Sequence, residues 1–308
     1  MFFFLLDKGE IRSKIKKINN FSSFPARMGV ILIDGRIRKS IISGTWYPGS
    51  KEELRDTIGN FFKNISPLNL DGDVLSLISP HAGYIYSGQV AAYAYNAIRK
   101  KEYDAVIIIG PSHRMIFPGA SIYDEGGYET PLGIVPINIS LARKVVLEGG
   151  RICSNPELHD QEHSIEIQLP FLQYVLGSLS LVPILMGDQD YETCRNVADA
   201  IIHASDGLSI LVVASSDLSH YHPYTEAVRM DSVVLERIEK NDPEGLLKDL
   251  QKHKAEACGG GPVAVAMMVA KGLGGDRSKI LKYSNSGDIT GDKSGVVGYG
   301  AAVLYRKV

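Results

Sequence analysis

The chain has 308 residues, 44% of them hydrophobic and 22% charged, the balance of an ordinary globular protein able to build a sizeable core. A formal net charge of -2 and a pI near 6.5 leave no overall basic field for nucleic acid or anionic lipid. Its three cysteines, Cys153, Cys194 and Cys258, have no C-x-x-C spacing, which argues against a disulfide framework and for a reducing, cytoplasmic setting.

No apolar run approaches the roughly 20 residues that a membrane-spanning helix needs. Phe2 to Leu6 is too short for a signal-peptide core, and Asp7, Lys8 and Glu10 follow it at once. Lys8 to Ile18 is basic and carries Ile11, Ile15 and Ile18, a spacing compatible with a membrane-surface or partner helix. The preferred expectation is that residues 1–36 are an extension, disordered or upstream of a true start at Met28. Residues 37–308 are then one α/β domain, with a mostly parallel central sheet flanked by helices.

In chain order, Val74 to Ser79 reads as a buried strand, and Ser87 as the cap of a helix running through Lys100. Asp104 to Gly110 is the clearest central strand. His163 to Val175 reads as a helix that Pro170 should kink or split. A strand over Leu181 to Met186, a helix over Tyr191 to His203 and a strand over Leu208 to Ser215 follow. Helices are expected at Thr225 to Glu239, Pro243 to His253 and Pro262 to Lys271, then strands at Ile280 to Tyr283 and Val296 to Tyr305.

Three of these strands run into polar, histidine-bearing loops: Pro80-His81-Ala82-Gly83-Tyr84, Pro111-Ser112-His113, and Ser216-Asp217-Leu218-Ser219-His220-Tyr221-His222. Ligands of open α/β sheets bind beyond the carboxyl ends of the strands. If these strands are parallel neighbours, His81, His113, Asp217 and His220 converge. Two neutral imidazoles suit iron, copper or zinc, whereas magnesium or calcium would call for oxygen ligands.

Cys258 stands in Ala257-Cys258-Gly259-Gly260-Gly261-Pro262, where glycines permit close approach and Pro262 suits a first helical turn. A cysteine before a helix N-terminus is expected to have its thiolate favoured by the dipole, which makes Cys258 a plausible soft ligand or nucleophile; the alternative is a buried filler. Cys153 and Cys194 read as inert. Asp160 to Glu166 reads as a helix opening whose acids suit its positive end, a role that explains Glu162 more easily than His163. Ser284 to Asp292 reads as a turn-rich loop.

Together these segments resemble the Memo family, widespread cytosolic proteins named for a member implicated in cell motility. The matching stretches are SGTWYPGS (Ser43 to Ser50), PHAGYIYSG (Pro80 to Gly88), GPSH (Gly110 to His113) and TPLG (Thr130 to Gly133). EHSIEIQLPFL (Glu162 to Leu172), SSDLSHY (Ser215 to Tyr221), ACGGGP (Ala257 to Pro262) and VVGYGA (Val296 to Ala301) continue the series. The resemblance implies a fold similar to class III extradiol dioxygenases, which are non-haem iron enzymes. It implies His81 and His113 as metal ligands and Cys258 as the pocket cysteine. Asp217 and His220 would form the remaining polar wall, with His220 as acid/base group oriented by Asp217, and His163 would meet substrate. The dioxygenases complete their site with a carboxylate where this chain offers Cys258, which shifts the preference toward softer ions such as copper(I) or implies a different iron chemistry.

The reading that follows is a metal-dependent redox protein using iron or copper on a small molecule. Its alternative is a non-catalytic module that grips a peptide or small ligand in a vestigial pocket. Relatives in archaea and bacteria are associated with radical-SAM proteins, which implies a functional link. Neither nucleic acid nor a membrane span is expected.

Overall fold

The computed structural model describes residues 35–66, 68 and 70–308. The expectations for residues 1–34, including a helix over Lys8 to Ile18, lie outside the described residues. The first strands are β1 (Ile37–Arg38), β2 (Gly72–Ser79), β3 (Ala105–Pro111), β4 (Ala120–Ile122), β5 (Gly127–Thr130) and β6 (Gly133–Pro136). Then come β7 (Ile152–Ser154), β8 (Leu181–Met186), β9 (Ile210–Ser215), β10 (His220–His222), β11 (Arg277–Asn285) and β12 (Val296–Lys307). The helices are α1 (Lys51–Lys63), α2 (Tyr84–Asn96), α3 (Ile139–Glu148), α4 (Leu169–Leu176), α5 (Tyr191–Ala204), α6 (Tyr224–Glu239), α7 (Pro243–Gln251), α8 (Gly260–Gly272) and α9 (Ser286–Thr290).

The main sheet runs β10-β12-β2-β9-β3-β8-β4-β7, with β11 also on β12. Its central strands β2, β9, β3 and β8 are parallel. They are apolar and buried along nearly their whole length, as expected where helices cover both faces. Antiparallel strands β12, β10 and β11 extend one side, and β4 joins β8 antiparallel on the other. The parallel sheet read from the sequence is thus the middle of a mixed one. A small sheet, β1-β5-β6, lies apart from it. Helices α1, α2 and α4 pack as one group, and α3, α5, α7 and α8 as another.

Register decides where the loops go. Ser79 pairs with Ser215 and Ile109 with Ala214, so β2, β9 and β3 finish level and deliver His81, Asp217 and His113 to one rim.

Several boundaries differ from expectation. Helix α2 starts at Tyr84 rather than after Ser87; its first amide donates sideways to Trp46 O at 2.8 Å, and the Ser87 hydroxyl donates to Ala82 O. Pro170 does split its segment: a 3-10 turn at Glu166–Gln168 precedes α4, which holds the proline in its first turn. The supposed loop at Ser284 to Asp292 contains α9, stapled by a capping box between Asn285 and Asp288.

One buried ion pair ties the early chain to the rim. Arg38 Nη1 donates to Glu166 Oε2 at 2.7 Å, and both side chains are inaccessible. Arg38 also donates to the carbonyls of His159 and Glu162. Glu166 accepts further bonds from the Ser40 and Tyr47 hydroxyls and the amides of Ile41 and Ile42. The segment 40–47, which carries Trp46, is thereby fixed.

Next to this pair, His159 is buried with Nδ1 2.9 Å from the Tyr128 hydroxyl. Burial first, and the charge of Arg38 second, push its pKa down to about 3. The ring stays neutral in the fold, while the unfolded chain takes up a proton below about pH 6.5. The stability His159 contributes is therefore complete above about pH 6.5 and is lost as pH falls toward 3, at about 1 kcal/mol per pH unit. Urea unfolding at about pH 7 and about pH 5 should show that loss in the wild type and a smaller one in His159→Gln.

Candidate metal centre

His81, at the end of β2, is buried, with Nδ1 3.1 Å from Ser215 Oγ. The Ser215 hydroxyl gives its one proton to Ser164 O at 2.6 Å and accepts from Gln168 Nε2 at 2.7 Å. Its remaining lone pair can only accept, so His81 Nδ1 must carry the hydrogen, and Nε2 presents a lone pair. Gln168 is itself held, donating to Pro80 O and accepting from the Tyr95 hydroxyl. This support was not read from the sequence, because Gln168 lies far from His81 along the chain and in an apolar run.

His113 is oriented the same way by a different group. Its Nδ1 stands 3.0 Å from Glu162 Oε1 and its amide donates to Glu162 Oε2. Glu162 also accepts the amides of His163 and Ser164. Burial alone would raise the Glu162 pKa, but the hydrogen bonds and charges of His113 and His163 prevail and hold it at about 2. An ionised carboxylate only accepts, so His113 Nδ1 donates and its Nε2 is free. Glu162 is thus the orienting partner of a histidine and not the helix cap that the sequence suggested: the 3-10 turn begins after Ile165 and neither it nor α4 has a side-chain cap.

Cys258 supplies the third donor, its Sγ 3.1 Å from His81 Nε2. The donor atoms of His81, His113 and Cys258 all lie within 4.8 Å of one another. Two imidazole nitrogens with lone pairs turned inward and one sulfur make a donor set that fits a soft or borderline metal ion. The expected dipole-favoured thiolate is not what the structure gives. Burial first, and the Asp217 charge second, push the Cys258 thiol up, against the amides of Asp217 and Gly259 that favour the anion. A bound metal ion would take the place of that proton. The glycine after Cys258 is required by space: a Cβ on Gly259 would sit 2.3 Å from Ser215 O.

The second cluster of possible donors, His113, Glu162 and His163, is the weaker one. Glu162 spends both oxygens on four N–H donors. His163 is sandwiched between His113, at 4.7 Å between ring centroids, and Trp46, at 4.4 Å. Its Nδ1 is 3.2 Å from Glu162 Oε1, yet too far off line to bond and otherwise unpartnered among the described residues. Burial lowers the His163 pKa to about 4, with Glu162 opposing.

Asp217 accepts the His81 amide at 2.8 Å, and its other oxygen is 4.0 Å from His81 Nε2. Burial raises its pKa to about 7 although the His81 and Ala82 amides oppose the shift. It does not orient His220. That role falls to Glu256, whose Oε1 is 3.4 Å from His220 Nδ1 and whose Oε2 takes His222 Nε2 at 2.8 Å. β10 is irregular between His220 and His222, which pair with the adjacent residues Val297 and Val296, and one carboxylate takes both rings. Between them Tyr221 adopts φ 61°, the left-handed region that bulky residues avoid. Burial lowers the His220 pKa against the pull of Glu256. His81, His113, His163, Asp217 and His220 all border one cleft of about 780 Å³. Of the other cysteines, Cys153 is exposed and Cys194 is a buried thiol that burial pushes up to about 12.

The chain is similar to several known proteins. A family model described as Memo-like protein matches residues 38–303. A MEMO1 family protein of Thermoplasma volcanium is 38% identical over 273 residues, covering 88% of this chain and 100% of its own. Those of Aeropyrum pernix and Thermotoga maritima are each 39% identical, covering 86% and 87% of this chain and 99% of their own. A solved structure of an uncharacterized Escherichia coli K12 protein aligns with a TM-score of 0.49 and 11% identity, over 75% of this chain and 100% of that one. No described helix is long and apolar enough to cross a membrane. With a family match across nearly all of the described residues, and relatives that align almost end to end, the chain belongs to the Memo family.

Proposed function

We propose that this Memo family protein is a metal-dependent redox protein that holds iron or copper through His81, His113 and Cys258 and acts on a small reduced molecule in the adjoining cleft. One observation carries the reading: two imidazole nitrogens and one sulfur from three separate loops face each other within 4.8 Å, each imidazole fixed from behind by Ser215 or Glu162. Such backing hydrogen bonds set the tautomer and orientation of a ligating histidine. When bound, the metal would supply one-electron chemistry and a site for dioxygen or substrate, and the thiolate favours copper(I) or a softened iron.

The remaining roles belong to the chain. His220, steadied by Glu256, takes or returns a proton from a substrate lying in the cleft. Asp217, with a pKa of about 7, is part protonated near neutrality and either donates or accepts beside His81. His163, held between two rings, presents an edge to the cleft beside Trp46, where a substrate makes contact. Protein purified without oxygen and loaded with iron(II) or copper(I) should hold about one ion per chain by elemental analysis and consume dioxygen with small reduced compounds. Failure to retain either ion under those conditions would reject the reading.

A further inference from the structure

Beside the cleft lies a second chamber of about 580 Å³, and Thr45, Trp46 and His163 form a wall common to the two. The far chamber has an apolar side, with Ile41, Ile42, Trp46 and Met115, and a polar one, with Thr45, Arg114, Gln161 and His163. Met115 is half exposed and Ile116 beside it is fully exposed, so apolar surface faces solvent at the lip. Arg114 is the single ionised group lining this space, with no carboxylate among the lining residues. Arg114 is exposed, and among the described residues no carboxylate stands within ion-pair distance of it.

A guanidinium left over an apolar floor recognises an anionic group on an apolar body, because its fork of N–H donors matches two oxygens at once. One positive charge, with no lysine and no second arginine in the lining, matches a monoanionic carboxylate better than a dianionic phosphate. Arg114 also follows His113 directly in sequence, which sets the anion a short span from the metal centre. We infer that the chamber seats the carboxylate end of a small amphipathic substrate, Arg114 being its counter-charge, while the apolar remainder lies against Trp46 and His163, the wall shared with the cleft. This rests on the cleft being a substrate site, as proposed above.

Trp46 is the chain's one tryptophan, so intrinsic fluorescence reports on the shared wall. Phenylacetate should give a saturable change, and the neutral phenylacetamide should bind about tenfold more weakly. Arg114→Gln should bring phenylacetate down to the level of the amide and leave the amide unchanged, with Arg114→Lys intermediate. Wild type stripped of metal by a chelator should bind phenylacetate as the loaded protein does. Equal affinity for acid and amide, indifference to Arg114→Gln, or about tenfold tighter binding of benzyl phosphate than of phenylacetate would each overturn the assignment. Loss of phenylacetate binding on removal of the metal would overturn it too, by sending the carboxylate to the metal. Wild type that retains no metal but still selects phenylacetate through Arg114 would sink the redox reading and support the chamber.

Discussion

Converting His81 and His113 together to alanine is expected to take the metal content of anaerobically loaded protein from about one ion per chain to none, with far-UV circular dichroism unchanged. The imidazoles supply two of the three donors, and Cys258 alone, a thiol pushed up by burial, cannot replace them. Removing His81 also frees the Ser215 and Cys258 groups that it bonds, which costs on the order of 1–3 kcal/mol. That is tolerable in a domain of this size. The single variant His81→Ala separates the two donor clusters. An ion held by His113, Glu162 and His163 would survive it, whereas one held by His81, His113 and Cys258 would be lost. Undiminished metal in the double variant would place the ion elsewhere.

The largest loss of stability is expected from Arg38→Met. The change leaves the Glu166 carboxylate buried without its counter-charge and frees the carbonyls of His159 and Glu162. Breaking one half of a buried ion pair costs about 3–5 kcal/mol, a fall in melting temperature on the order of 10 °C. Adding Glu166→Leu should not restore stability, because the Ile41 and Ile42 amides and the Tyr47 hydroxyl then lose their acceptor as well. Full rescue in the double variant, measured by thermal unfolding, would show that the network is a charge pair and nothing more. Because this network fixes segment 40–47, Trp46 emission should shift red in the single variant.

What could be read from the sequence was what local pattern encodes. Continuous apolar runs gave β2, β3, β8 and β9, and the rule that ligands gather at strand carboxyl ends brought His81, His113 and Asp217 to one rim before any coordinates. Cys258 followed from its glycine neighbours and the Memo resemblance. Strands β4 to β7 escaped notice because they are only 3 or 4 residues long, too short for an alternation to register. Helix α9 did carry a signal, the Asn285-x-x-Asp288 capping pair, which was outweighed by the turn-forming look of its glycines. Partners joined through space had no signature at all: Arg38 and Glu166 are 128 positions apart, and His220 reaches Glu256 rather than the Asp217 three residues before it. The thiol of Cys258 was misjudged for a related reason, since burial is a property of the assembled fold and the helix dipole is visible in one segment.

The order of strands has a kinetic consequence. β2 is flanked by β9 and β12, so Ser76 meets both Val212 and Leu304, and no short stretch of chain closes that part of the sheet. Topologies dominated by such distant pairings fold slowly, because loop-closure entropy must be met before the contacts reward it. His81 and His113 leave strands that flank β9, so the donors at 81, 113 and 258 come within reach of one another only when the β2-β9-β3 core has assembled. An ion cannot template an early folding step here, and loading belongs to the finished protein.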